Sequence, residues 1–275
     1  MIIKTLVENT SPSKEYKGEH GLSLYIETGS HKLLFDVGAS SLFIENAKKM
    51  GVNLLDVDFV IVSHGHYDHG GGLRDFLNLN KKATIYLKRQ AFGKYYAINS
   101  EGEEKYIGLD ENLLESERLI FVEDYFVLDK GLELFSGLKK QEQISTCNQG
   151  LFRLEDGLMV QDDFRHEQNL IISLGEKTIL LTGCAHQGII NIVESLKTIK
   201  SQIPTYLVGG FHLHSNASKQ DEDPVLIQQI GQYLKDLKSS CYTCHCTGLA
   251  PYKLLKEIMG GQLQYLATGS CLELR

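Results

Sequence analysis

Ser63-His64-Gly65-His66-Tyr67-Asp68-His69-Gly70-Gly71-Gly72-Leu73 decides the reading of this 275-residue chain. The stretch follows Asp58-Phe59-Val60-Ile61-Val62, a β-branched apolar run that ends where the histidines begin. Such a run reads as a buried strand delivering a loop. Three glycines then let the backbone turn sharply into a helix near Leu73. His64, His66, Asp68 and His69 place three imidazoles and a carboxylate within six residues. That is a metal-ligand set, since imidazole suits several transition metals and the carboxylate adds a charged oxygen. The spacing suggests two ions, His64 and His66 reaching one while Asp68 and His69 reach the other. A solvated His-rich loop would need neither three glycines nor an apolar strand aimed at it.

Composition sets the bounds. With 42% hydrophobic and 23% charged residues, the chain is an ordinary globular protein, long for one domain but within reach of a single large α/β domain. A net charge of −7 argues against a nucleic-acid surface, which would want a basic stripe. It does not exclude a small anionic substrate, because bound metal ions reverse the local field. The opening MIIKTLVENT is too short in apolar run for a signal peptide, and no 18-residue apolar segment follows. The expectation is a cytoplasmic protein with no membrane association, whose six cysteines are thiols or metal ligands.

Strands are expected at residues 2–7, 22–26 and 32–36, the last two forming a hairpin around Gly29-Ser30. A helix over 42–50 is closed by Gly51. After the histidine loop come a short helix (73–79) and a strand (83–87). Residues 88–117 lose any stable period and read as an insertion, taken as a lid over the site or a plain surface loop. Strands resume at 119–122, 125–128, 132–135, 170–174 and 178–181. Three strand-to-helix junctions follow: Thr182-Gly183-Cys184-Ala185-His186; Gly209-Gly210-Phe211-His212-Leu213-His214; and Cys241 to Gly248. Asp223-Pro224 caps the helix behind the second junction. A last short strand is expected over 263–267.

Histidine placement carries the most information. Seven of the ten histidines (His64, His66, His69, His186, His212, His214, His245) stand where an apolar strand hands over to a Gly-containing loop. Ligands gather at the carboxyl ends of strands in α/β sheets. Four such junctions converging on one edge would build one metal centre.

These motifs resemble the metallo-β-lactamase superfamily, whose mark is the His-x-His-x-Asp-His loop found at His64, His66, Asp68 and His69. Within it the chain looks most like the metal-dependent hydrolases similar to 7,8-dihydropterin-6-methyl-4-(β-ribofuranosyl)aminobenzene 5′-phosphate synthase. The matching pieces are EHGLS (19–23), LLFDVG (33–38), SHGHYDHGGGL (63–73), LTGCAHQGIIN (181–191), VGGFHL (208–213) and HCTG (245–248). The resemblance implies an α/β fold, a four-layer αββα sandwich spanning residues 1–275 as a single domain. It implies two divalent ions, zinc foremost, with manganese or iron as alternatives. The ligand set it implies is His64, His66, Asp68, His69, Cys184, His186 and His245.

Two departures stand out. Most members place a bridging Asp after Thr-Gly, where this chain has Cys184, and the usual third histidine would fall near His166 without the usual Gly-Ser continuation. In the subgroup His186 takes over that position. The expected activity is hydrolysis of a small, phosphate-containing, pterin- or nucleotide-like metabolite, with Asp68 handling a proton and His186 or His212 stabilising charge on the substrate oxygen. The rivals are a thioester or lactone hydrolase on the same site and a non-haem iron redox or sensor protein. The latter would use the Cys-rich strand of Cys241, Cys244 and Cys246; read instead as a structural zinc or iron–sulfur site, the same cysteines would need Cys271 or Cys147 as a fourth ligand.

Overall fold

Phe59–Ile61 is a short strand flanked on both sides by parallel neighbours, and that placement brings the histidine loop to a sheet edge. The computed structural model describes residues 1–137 and 143–274. The chain divides into two compact units: residues 1–93, 107–122 and 266–275 form the first, and residues 94–106 and 123–265 the second.

The first unit holds a seven-stranded sheet. Its order is Cys271–Glu273, Ile2–Val7, Ser23–Glu27, Lys32–Phe35, Phe59–Ile61, Thr84–Leu87 and Leu119–Phe121. The pairings are antiparallel up to Lys32–Phe35 and parallel beyond it. Because Lys32–Phe35 and Phe59–Ile61 run parallel, Asp36 and Ser63 emerge side by side at their carboxyl ends. The helices Leu42–Lys49 and Leu73–Leu79 supply the crossovers, and Phe43, Ala47, Leu73 and Phe76 pack into the core with Leu34, Val60 and Ile85. Each fully buried side chain of this size contributes about 1.5–3 kcal/mol.

The second unit repeats the plan. Its seven-stranded sheet runs Leu263–Tyr265, Ser240–Thr243, Tyr206–Gly209, Lys177–Leu181, Asn169–Leu174, Leu132–Phe135, Tyr125–Asp129. The first four are mutually parallel, so the loops after Leu181, Gly209 and Thr243 leave the same edge. The helices Ile189–Lys200, Pro224–Leu237 and Leu249–Met259 bury Ile192, Val193, Leu196, Ile230, Leu234 and Leu255 against it. Asp223 caps the second of these helices by accepting from Val225 N, with Pro224 in its first turn.

The sequence pattern missed a whole sheet. Tyr95–Ile98, Glu104–Tyr106, Leu151–Glu155 and Leu158–Gln161 form a separate four-stranded antiparallel sheet in the second unit. Part of the expected insertion is therefore regular structure, with Tyr95 buried and its ring 4.1 Å from that of His166. Asp156-Gly157, both in the left-handed region, is the two-residue hairpin signal that marks the Leu151–Gln161 pair. Cys271–Glu273 was also unforeseen. Among the described residues no helix is long and apolar enough to cross a membrane.

Candidate metal centre

In the first unit, the backbone of the histidine loop is tied down on three sides. Leu22 N donates to Asp68 O at 3.0 Å, Val37 N to His69 O at 2.8 Å, and Tyr67 N to Ile107 O at 2.7 Å. The motif segments around Gly21 and Gly38 thus serve the loop directly. The glycines act differently from the expectation of a sharp turn. Gly71 and Gly72 have helical φ, and a Cβ on either would stand 2.4 Å from a backbone oxygen, Ala39 O or Val37 O. They are there for close packing of chain against chain.

A buried relay orients the imidazoles. His69 Nδ1 donates to Asp36 Oδ2 at 2.6 Å, Ser63 Oγ donates to the same oxygen at 2.7 Å, and Ser63 N donates to Asp36 Oδ1 at 2.7 Å. With its proton on Asp36, Ser63 Oγ accepts from His64 Nδ1 at 2.9 Å. Both imidazoles are therefore Nδ1–H tautomers, whose Nε2 carries the lone pair a metal takes. The rings of His64 and His66 lie 4.6 Å apart, and those of His64 and His69 4.1 Å. His20 reaches Asp68, Nε2 to Oδ2 at 3.2 Å. Asp36 was not singled out as a site residue from the sequence. The signal for it was the motif LLFDVG and a polar residue ending an apolar strand.

In the second unit the three parallel strand ends deliver Cys184, His186, His212, His245 and Cys246. One donor atom each of Cys184, His186 and His212 lie within 4.8 Å of one another, and so do those of Cys184, His245 and Cys246; all five residues are buried. Buried soft and borderline donors at this spacing fit a bound metal ion. Both ring nitrogens of His212 are buried beside the Cys246 thiol, and its ring lies 4.1 Å from that of His186. His212, expected on the substrate side or behind the ligands rather than among them, joins the donor cluster.

Support for His186 comes from three directions. Its Nδ1 donates to Asn148 Oδ1 at 2.9 Å while Asn148 Nδ2 donates to His186 O at 2.8 Å. Phe164 stacks on its ring at 4.4 Å with planes 2° apart. Glu167 accepts from His186 N and Gln187 N at 2.7 and 3.0 Å; burial pushes this carboxyl up to about 7 against the pull of those N–H groups. Burial would likewise raise the Cys246 thiol, but Cys184, His212 and His245 hold it well below its ordinary value. Gly210 is required here, because a Cβ on it would stand 2.4 Å from Cys246 Sγ.

Asp36, Phe164, Ala185, His212 and His245 all have positive φ without being glycine. Backbone strain of this kind persists where surrounding structure enforces it, and it clusters at functional sites.

Other expectations resolve plainly. His166 Nε2 is bound to Asp162 at 3.0 Å inside the second unit. His214 pairs with Asp221 at 2.7 Å. Cys241 belongs to the apolar core, while Cys246, just beyond that strand, stands with Cys184 and His245. None of the six cysteines is in a disulfide.

The chain is 32% identical over 265 residues to an uncharacterized protein of Methanocaldococcus jannaschii, covering 94% of each. Residues 16–130 match the family model described as the Metallo-beta-lactamase superfamily. The chain belongs to the metallo-β-lactamase superfamily. A second protein of Methanocaldococcus jannaschii is 28% identical over 98% of this chain and 96% of its own length. It is named 7,8-dihydropterin-6-methyl-4-(beta-D-ribofuranosyl)-aminobenzene-5'-phosphate synthase. Among solved structures, Tm1679, described as a metal-dependent hydrolase of the beta-lactamase superfamily, matches with a TM-score of 0.84 at 29% identity, covering 100% of this chain and 99% of its own. The Bacillus subtilis protein YhfI shares the fold at a TM-score of 0.58 and 13% identity, over 98% of both chains. The mixed α/β fold is thus the metallo-β-lactamase fold, and membership implies binding of divalent metal.

Proposed function

We propose that this protein is a metal-dependent hydrolase of a small, phosphate-containing, pterin- or nucleotide-like metabolite. The observation that carries the reading is the relay from His64 through Ser63 and Asp36 to His69, which fixes two imidazoles of the superfamily loop as metal-ready tautomers. In the first unit His64, His66, Asp68 and His69 are the proposed ligands. In the second they are Cys184, His186 and His245, with His212 available beside the first two. Two ions, zinc foremost, suit imidazole, thiolate and carboxylate donors together. When bound, such ions supply Lewis acidity and lower the pKa of water.

The chain's own groups do the rest. Asp68, steadied by His20, holds and passes a proton. His186 is oriented for ligation by Asn148 and Phe164, and His212, where it does not ligate, stabilises charge on the substrate oxygen. The phosphate-bearing compound in the name of the 28% identical relative supports the substrate class, although that relative is named as a synthase. The net charge of −7 supports a small molecule over nucleic acid, and six cysteines outside any disulfide support a cytoplasmic setting.

The test is metal content and phosphoester hydrolysis after reconstitution, in wild type and His66→Ala. The variant should retain less metal after dialysis and lose hydrolysis by orders of magnitude. Full metal stoichiometry with full activity in the variant would refute the assignment. A visible thiolate–iron absorption in place of colourless zinc protein would favour the redox reading.

A further inference from the structure

Beside His186, within the second unit, lies a pocket of about 330 Å³ whose wall includes Thr146, Asn148, Gln149, Gln161, Phe164 and Gln187. Its volume is at the small end of ligand sites. Asn148 is both wall and support, since it holds His186 through two hydrogen bonds. Phe164 is likewise shared. Its backbone is held at φ 53°, with its N–H on Asp162 Oδ1 at 2.9 Å, and its ring stacks on His186. Whatever fills the pocket therefore sits against the groups that orient a proposed ligand.

The chemistry of the wall follows from where its protons go. Ser145 Oγ and Thr146 Oγ1 both donate to Glu222, at 2.6 and 2.9 Å. Gln161 spends its N–H groups on Asn148 O and Leu151 O, at 2.9 and 2.7 Å. Gln187 Nε2 donates to Phe164 O at 2.9 Å. What these residues retain for a ligand is mostly acceptor capacity, on two hydroxyl oxygens (that of Ser145 already accepting from Cys147 N at 3.1 Å) and two carboxamide oxygens, while Gln187 keeps one N–H and Gln149 adds a carboxamide that both donates and accepts. The described lining contains no basic side chain and does contain Asp162 and Asp163. The nearby cations are committed: Arg165 and Arg153 both pair with Asp163, at 2.5 and 3.3 Å. An anion would meet carboxylates and mostly acceptor groups here, with carboxamide N–H groups but no cation to receive it. A flat, uncharged group with N–H donors would meet partners and an aromatic neighbour.

We propose that this pocket receives an uncharged, N–H-bearing nitrogen heterocycle of the substrate, and that the substrate's phosphate is held elsewhere. The proposal deepens the hydrolase reading and rests on it for the pocket's purpose.

Binding is measured on the full chain by calorimetric titration with four probes: pterin, guanosine, quinoxaline and inorganic phosphate. Pterin and guanosine carry the donor edge and separate a pteridine source from a nucleoside one. Quinoxaline keeps a flat bicyclic ring without donors. At least one of the first two should bind saturably, ten times or more tighter than quinoxaline, and phosphate should not displace it. Gln149 is exposed, so Gln149→Leu should fold normally and weaken that binding about fivefold or more. Gln161→Leu should do the same, with thermal melting as the folding check. The pocket assignment is overturned if neither donor probe binds, if quinoxaline binds equally well, if phosphate displaces the ring, or if Gln149→Leu binds like wild type. Turnover is a separate readout. Ring binding without phosphoester hydrolysis would remove the hydrolase reading and support the pocket, whereas hydrolysis without ring binding would overturn the pocket alone.

Discussion

Replacing Asp36 by Asn changes one oxygen into an NH2 group at the hub of the relay in the first unit. Asn keeps the shape and tolerates the φ of 60° that the position demands. Its carbonyl can still accept from Ser63 N. The amide nitrogen, however, now faces two donors, Ser63 Oγ and His69 Nδ1. The hydroxyl can rotate, but His69 relieves the clash only by moving its proton to Nε2, the nitrogen a metal would take. Loss of a hydrogen bond to a buried charged group should lower the stability of the metal-free protein by about 1.5–3 kcal/mol. Loss of the partner that fixes a ligating imidazole should weaken zinc binding about 10- to 100-fold. At about 1.4 kcal/mol per decade, that corresponds to about 1.4–2.8 kcal/mol. Zinc affinity is read by competition with a chromophoric chelator, stability by chemical unfolding of the metal-free protein, and the tautomer of His69 by nitrogen–proton correlation spectroscopy. A variant in which His69 stays protonated on Nδ1 and zinc affinity moves by less than twofold would refute the relay argument.

Three further outcomes are expected. Cys184→Asp, which restores the usual superfamily residue, should raise occupancy of a second ion or shift preference toward manganese, as oxygen donors favour the harder ion; unchanged metal content and preference by mass spectrometry after reconstitution in equal zinc and manganese would show that Cys184 only packs. Burial would raise the Glu222 carboxyl, but hydrogen bonds from Ser145, Asp223 and Thr146 hold it below its ordinary 4.5. Its contribution to stability is therefore full above that value and disappears as pH falls through the lower folded value, so unfolding midpoints measured from pH 6 down to 3 should drop more in wild type than in Glu222→Gln; parallel curves would sink the claim. Lys238 ends the helix Pro224–Leu237 at φ 61°, and Lys238→Gly should raise stability by up to about 1 kcal/mol in chemical denaturation, with a loss counting against it.

Much was legible in the sequence because period and punctuation are local. The strands at 2–7, 32–35 and 132–135, the helix 73–79 and the capped helix 224–237 follow from apolar spacing and from Gly, Asp and Pro at their ends. The four-stranded sheet was not read, because its strands are short, half exposed and separated by some fifty residues between Ile98 and Leu151. Its Asp156-Gly157 turn was nevertheless in plain sight.

For the site, the sequence by itself determined which donors exist and that they follow strands: the His64–His69 loop, Cys184, His186, His212 and His245. Spacing along the chain carries that information, since a strand end fixes where its next few residues emerge. Only the tertiary structure decided which groups hold those donors. Asp36 meets Ser63 because two strands run parallel side by side, and Asn148 meets His186 across 38 residues. The same holds for His166, which packs with Asp162 and Tyr95, and for Cys246, which stands by Cys184 while Cys241 joins the core. Hydrogen bonds and close packing act over a few ångströms of space, and sequence separation sets no limit on which residues the fold brings within that distance.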